Sequence, residues 1–299
     1  LKAAAYYFSL PFIYLVALLP FPLLYGLSDL MFLVLYGLMG YRKTVVRDNL
    51  QRSFPEKTTA ELRRIEVAYY RHLCDVVLES FKLLGMSRDD LIKRCHVKNS
   101  EVYYALLRER RSIIVALGHQ GNWEWAGAVT AARGNVPLNV IYRPLSNKHF
   151  DRLMLRIRSR FGADPVAAND ILRKLYAEQH VPSTTAFLAD QTPAPEHAYW
   201  VDFLHQTTPV FAGTEKIARK FNYPVLFAEM KKIKRGHYEV EIRMVADEPM
   251  QLRVGEITRL HTKALETCIV AQPHTWLWSH RRWKHKPPAT LRQNVTGAA

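Results

Sequence analysis

Charge is missing from the start of this 299-residue chain: between Lys2 and Asp29 there is no charged side chain, and after Asp29 a second apolar run extends from Leu30 to Gly40. That absence argues against an ordinary solvated surface helix. A bilayer span needs about 20 apolar residues, and Ala3 to Leu27 supplies 25 uncharged ones. Pro11, Pro20 and Pro22 interrupt the stretch, and each removes a backbone donor and kinks or splits a helix. The segment reads as one kinked span or as a helical hairpin lying partly in the interface. A buried hairpin of a soluble protein is the bland alternative. No strongly basic segment precedes the apolar run and no clear small-residue site closes it, which speaks against a cleaved signal peptide. Arg42, Lys43, Arg47 and Arg52 follow, a basic flank expected on the cytoplasmic side near anionic headgroups.

Cysteine is also scarce. Cys74, Cys95 and Cys268 lie far apart with no CxxC pair, and His72 and His96 complete no zinc-finger spacing, so no metal site is expected. The three read as reduced thiols. Acidic residues are outnumbered, with 42 Lys+Arg against 27 Asp+Glu and a net charge of +15, a balance that attracts nucleic acid, anionic lipid or acidic carrier proteins. The sequence contains no G-x-S-x-G elbow, no G-x-x-x-x-G-K-[ST] loop, no H-E-x-x-H helix and no G-x-G-x-x-G turn. Serine hydrolase, nucleotide hydrolase, zinc protease and dinucleotide enzyme are therefore disfavoured. There is no internal repeat.

What is present is an α/β pattern. Thr58 to Leu84 has helical amphipathic spacing, and Ser87 before Asp89 and Asp90 is a helix start. Ser112 to Leu117 is a short apolar run ended by Gly118, as a buried strand requires. Leu138 to Tyr142, Thr185 to Ala189 and Val225 to Glu229 repeat that character. Asn122 to Ala132 reads as a helix between the first two, making a parallel crossover unit. His237 to Met244 alternates, as in an outer antiparallel strand, and Glu256 to Ala271 reads as a closing helix.

His119 follows the first strand and its glycine, at the carboxyl end of a sheet strand where open α/β sheets place their ligand crevices. Glu124 lies five residues on, in the first turn of the next helix, from which a carboxylate can turn back to the imidazole. Gly121 permits the tight turn between them. Attack of a hydroxyl on a thioester needs a base near neutrality and a group that fixes its tautomer, and His with a carboxylate supplies both. Near the end, Trp276, Trp278 and Trp283 alternate with Arg281, Arg282 and Lys284, a mix suited to a membrane interface and equally to core packing. Lys231, Lys232, Lys234 and Arg235 read either as a solvated turn or as a docking patch for an acidic carrier protein.

Taken with their order, these motifs resemble the bacterial lipid A biosynthesis acyltransferases of the lysophospholipid acyltransferase superfamily. The resemblance runs from Tyr41-Arg42, Asn49-Leu50 and Phe54-Pro55 through His119-Gln120-Gly121-Asn122-Trp123-Glu124. It continues with Tyr142-Arg143-Pro144, Arg158 before Phe161-Gly162, and Asp190-Gln191, and closes with Trp276 to Lys284. It implies a glycerolphosphate acyltransferase-like fold: a single α/β domain with a central, mostly parallel or mixed sheet flanked by helices, at 42–286, after a membrane anchor at 1–41 and before a disordered tail at 287–299. It implies His119 as catalytic base with Glu124 its partner, and Asn122, Arg143, Arg158, Asp190 and Gln191 as substrate-binding residues. Asp190 would orient one of the arginines. No cofactor is implied; the donor would be an acyl carrier protein or coenzyme A thioester. The acceptor would be a lipid A precursor, a lysophospholipid or an aminolipid, at the cytoplasmic face of the bacterial inner membrane and its anionic lipids. The competing readings are a basic membrane-surface protein without catalysis, in which His119 and Glu124 would be dispensable, and a nucleic-acid binder, which the apolar anchor and the lack of a nucleic-acid motif disfavour.

Overall fold

Pro20 splits the apolar N-terminal stretch. In the computed structural model, which describes residues 2–134 and 136–286, helix α1 (Lys2–Leu18) stops just before this proline and α2 (Phe21–Phe32) starts just after it. Pro22 sits in the first turn of α2, where a missing N–H costs nothing. The helix continues as a π-helical segment, Leu33–Leu38. Helices α3 (Lys43–Ser53) and α4 (Thr59–Lys82) follow, the latter opened by a capping box between Thr58 and Glu61.

Both N-terminal helices lean on α4. Ile13, Val16, Ala17 and Leu24 are buried, while Phe8, Leu15, Leu18, Leu23, Leu33 and Leu38 on other faces are exposed. Lys82 fastens the end of α1, its buried Nζ donating to the Ala17 and Leu19 carbonyls at 2.8 and 2.7 Å. These are the carbonyls a helix C-terminus leaves without partners.

After α5 (Arg88–Arg94), capped by Ser87, the sheet elements begin with β1 (Cys95–Lys98), α6 (Glu101–Arg108), β2 (Ile113–Leu117), α7 (Trp123–Arg133) and β3 (Leu138–Tyr142). They continue with α8 (Lys148–Ser159), β4 (Ala163–Ala167), α9 (Ile171–Ala177) and β5 (Thr184–Leu188). A hairpin of β6 (Ala198–Phe203) and β7 (Gln206–Phe211) leads to α10 (Gly213–Phe221), β8 (Val225–Lys234), β9 (His237–Ala246) and α11 (Glu256–Ala271). Seven strands form one sheet in the order β1-β9-β8-β2-β5-β3-β4, parallel throughout except for the antiparallel β8–β9 pair.

The expected mostly parallel sheet is therefore present, with two differences of arrangement. Strands β2 and β3 form a crossover unit but are not neighbours, because β5 inserts between them. Strand β9 is antiparallel to β8 as expected, yet it is not outermost, since the four-residue β1 covers its free side. The proposed tail at 287–299 lies outside the described residues.

The basic run before β9 is consumed internally. Lys231 pairs with Glu241 at 2.6 Å, and Lys232 reaches Asp75 at 3.3 Å. Arg235 grips Asp75 and Asp29 at 2.7 and 2.8 Å and the Tyr25 carbonyl at 3.3 Å, tying α2 to α4 and the sheet. Asp75 is buried and also accepts from Ser28 at 2.7 Å. Replacing Arg235 with Ala strips this carboxylate of its main cation. We expect a loss of about 1–3 kcal/mol, below the full cost of breaking a buried pair because Arg235 is partly exposed and Lys232 remains. Denaturant titration in detergent measures the loss, and proteolysis at the α1–α2 junction is expected to quicken with it.

Candidate active site

Parallel pairing sets the site. Leu117, the last residue of β2, is in register with Leu188, the last of β5, so two residues beyond each strand His119 and Asp190 come side by side. The Asp190 carboxylate takes three donors: Oδ1 accepts from His119 Nδ1 at 2.6 Å, and Oδ2 accepts from the His119 backbone N–H at 2.7 Å and the Trp276 indole N–H at 2.8 Å. Burial by itself would raise this carboxyl, but the charge and hydrogen bonds of His119, with the Trp276 bond, hold it well below the usual carboxylate range. An ionised carboxylate on Nδ1 fixes the proton there and leaves Nε2 with a bare lone pair. Among the described residues, that lone pair meets the side-chain amide of Gln191, at 3.4 Å.

This corrects the reading that paired the imidazole with Glu124. Glu124 instead forms a bidentate pair with Arg158, its oxygens 3.0 and 2.6 Å from Nε and Nη2. The reason is direction. Glu124 is the second residue of α7, and its side chain faces α8, which carries Arg158. Burial works against the guanidinium charge, but Glu124 more than compensates and raises the Arg158 pKa. Asp190, expected to orient an arginine, orients the histidine.

Asn122 is a second correction. It is fully buried, caps α7 by accepting from the Trp125 N–H at 3.1 Å, and donates to Glu79 Oε2 at 2.7 Å. It is not among the residues lining the cavity described below, and its work in this arrangement is to hold the turn. Glu79 also accepts from Tyr25 at 2.9 Å and Tyr238 at 2.7 Å, so one buried carboxylate joins α2, the sheet and the turn after His119. Sequence reading missed Glu79, because an acidic residue within an amphipathic helix gives no sign that it faces inward.

Two glycines make the turn possible. A Cβ on Gly118 would collide with the Leu265 side chain and stand 3.2 Å from Asp190 Oδ2. Gly121 has φ +59, and a Cβ there would strike Met230. Trp123 closes over the imidazole edge-on, with ring centroids 5.1 Å apart.

A cavity of about 470 Å³ opens beside these groups, between the sheet and the helices α6, α7 and α8. His119, Glu124, Arg143, Arg158 and Gln191 line it near the carboxyl ends of the strands, Arg143 and Gln191 at exposed positions. It continues past Val115, Leu117, Val140 and Ala186 to Leu138, Ala163 and Thr184 at the amino ends. Five strand residues at about 3.3 Å each make a channel roughly 16 Å deep. Its walls are mostly apolar, with Thr130, Arg133 and Thr184 among the polar groups away from the head, a shape and chemistry that suit an extended hydrocarbon chain.

The closing segment is structural. Trp276 and Trp278 are buried, Asn49 donates to the Trp278 and His280 carbonyls at 2.8 and 2.9 Å, and Tyr69 accepts from the Ser279 N–H at 3.0 Å. Thr192 ties the loop after β5 to the Arg282 carbonyl at 2.8 Å. All three cysteines are unpaired and buried.

His119, paired with Asp190 through Nδ1, thus presents Nε2 at the head of a mostly apolar channel. Residues 1–285 match the family model of the bacterial lipid A biosynthesis acyltransferases, and the chain belongs to that family, as an acyltransferase. It is 21% identical over 246 residues to the lipid A biosynthesis myristoyltransferase of Escherichia coli K12, covering 81% of this chain and 75% of that one. With the palmitoleoyltransferase of the same organism it shares 21% identity, over 94% and 91% of the two chains. With the lauroyltransferase it shares 23%, over 92% and 90%.

Asp190→Asn keeps the shape but removes the charge that fixes the tautomer, and we expect turnover to fall roughly 100- to 10,000-fold. Trp276→Phe removes one of three donors to the same carboxylate and is expected to cost about tenfold or less. Steady-state kinetics on the two variants checks the order.

Proposed function

We propose that this acyltransferase moves a fatty acyl chain from an acyl carrier protein thioester to a hydroxyl of a lipid A precursor at the membrane surface. The observation that carries the mechanism is the bare Nε2 of His119, backed by Asp190, at the head of a channel of acyl-chain dimensions. The alkyl tail of the donor fills the channel and its thioester lies beside His119. Nε2 takes the proton of the acceptor hydroxyl as its oxygen attacks the thioester carbon, and the tetrahedral adduct collapses with cleavage of the C–S bond. The imidazolium returns the proton to the departing thiolate, so no acyl-enzyme forms. Arg158, held by Glu124 through Nε and Nη2, presents Nη1 to the oxyanion. Arg143, exposed at the head of the channel, suits the phosphate of the donor's phosphopantetheine or of the acceptor.

The acceptor and donor classes rest on the family and on the names of the relatives. Membrane attachment rests on the exposed apolar side chains of α1 and α2. The stretch Phe21–Leu38, of 18 residues with only 22% of it buried, has the length and composition to cross a bilayer. The basic flank after it favours a cytoplasmic catalytic face at the bacterial inner membrane, against anionic lipid.

Incubation of the purified chain with radiolabelled acyl carrier protein thioester and lipid extract tests this, with mass spectrometry of the product to read acceptor and chain length. His119→Ala is expected to lower transfer at least about 100-fold, and Glu124→Gln to lower it by about 10- to 100-fold through a loosened Arg158. Wild-type rates in the His119 variant would remove this imidazole from the mechanism, and no transfer by the wild type to any acceptor would return the chain to the non-catalytic, membrane-binding reading.

A further inference from the structure

A second groove, of about 400 Å³, lies apart from the acyl channel, between the N-terminal helices and the closing segment. Met31 of α2 and Leu35 of the π-helical segment form one wall, Leu73 and Val77 of α4 the next, and Leu277 the third. Its position relative to the chemistry is fixed by two contacts. The Leu277 N–H donates to the His119 carbonyl at 3.1 Å. His280, on the groove wall, stands 3.3 Å from the Thr192 hydroxyl, which lines the acyl channel next to Gln191. At this point two side chains in contact, His280 and Thr192, stand between groove and channel.

The groove carries a cation at one side. Arg42 lines it from an exposed position and is oriented by donating from Nη1 to the Ser279 carbonyl at 3.0 Å. The helical stretch that forms the first wall also exposes Leu30, Val34 and Leu38, the side chains assigned above to the bilayer. An apolar slot that borders a membrane-facing helix, ends in a fixed guanidinium and is bonded through Leu277 to the backbone of His119 has the chemistry of a site for an anionic amphiphile. The guanidinium suits a phosphate. The donor chain has its own channel, so the amphiphile that remains is the acceptor.

We propose that this groove binds one acyl chain of the acceptor lipid, with Arg42 on a phosphate of its headgroup, and so brings the hydroxyl to His119. The proposal rests on the acyl-transfer reading of the preceding subsection. It makes acceptor recognition depend on residues that the donor never touches.

The test uses the full chain in mixed micelles with an acyl carrier protein thioester and two acceptors: a phosphorylated, acylated glucosamine disaccharide, and the same disaccharide stripped of its chains. Val77→Trp and Leu35→Trp fill the groove from different walls. Each is expected to raise the KM for the acylated acceptor about tenfold or more, equivalent to about 1.4 kcal/mol, with the KM for the thioester unchanged. On the stripped acceptor both variants should match the wild type. Arg42→Ala, which leaves the apolar walls intact, should raise the KM for the phosphorylated acceptor and not for its dephosphorylated form. An unchanged acceptor KM in both Trp variants, or equal losses on the acylated and stripped acceptors, overturns the groove assignment while leaving the transferase reading in place. No transfer by the wild type to any lipid hydroxyl would overturn both.

Discussion

The arrangement around His119 depends on one buried carboxylate. Asp190 receives an imidazole N–H on Oδ1 and a backbone N–H and an indole N–H on Oδ2, so both oxygens are engaged by donors. Burying an ion is costly unless it is paired and hydrogen-bonded, and here the compensation comes from the groups whose geometry the reaction needs. The backbone bond fixes where His119 sits, the Nδ1 bond fixes which way its ring turns, and the Trp276 bond fastens the closing segment to both. Removing any donor therefore disturbs more than a local contact, because the same oxygen atoms define position, tautomer and docking.

Glu79 plays the complementary part on the other side of the turn. It is fully buried on α4, and burial pushes its carboxyl above the usual range even though three side chains donate to it. Those donors come from α2, the sheet and the cap of α7. The helix that we assign to the membrane and the turn that follows His119 thus share one carboxylate. With Arg235 bridging Asp29 and Asp75 nearby, the N-terminal helices are wired into the catalytic domain by polar contacts as well as by packing. Asn49 and Arg42 do the equivalent for the closing segment, both bonding to its backbone carbonyls.

Much of this fold was legible in the sequence, and the parts that were not share a cause. Buried strands such as Ile113–Leu117 and helices such as Glu256–Ala271 announce themselves by local pattern. The four-residue β1 and the Ala163–Ala167 strand, with a proline inside it, have too little pattern to stand out. The partner of His119 was misread for a different reason. Glu124 is five residues away in sequence, whereas Asp190 is 71 residues away and becomes a neighbour only through the register of β2 on β5. Strand order is a property of the whole sheet, so no local reading could place β5 there. The basic cluster at Lys231–Arg235 shows the same limit: its composition says charge, but only the fold shows that Asp75, Asp29 and Glu241 absorb most of it. The tryptophans were open between interface and core, and the bond from Trp276 to Asp190 adds a third role that composition does not encode.

Gln191 gives the arrangement its last constraint. Its amide meets Nε2 of His119 at 3.4 Å, long for a hydrogen bond whose usual span is about 2.7 to 3.2 Å. The lone pair that receives the hydroxyl proton in the proposed reaction is thus only loosely satisfied by this contact. In the proposed reaction an acceptor hydroxyl at ordinary bonding distance would be the better donor and would take the place of the Gln191 amide. Gln191 is exposed and belongs to the same loop as Thr192, whose hydroxyl touches His280 at the boundary between the two apolar cavities. The residue that yields to the acceptor therefore sits next to the one that marks the edge of the groove. A lipid bound in the groove would lie against His280, which touches the same short loop that contacts the base.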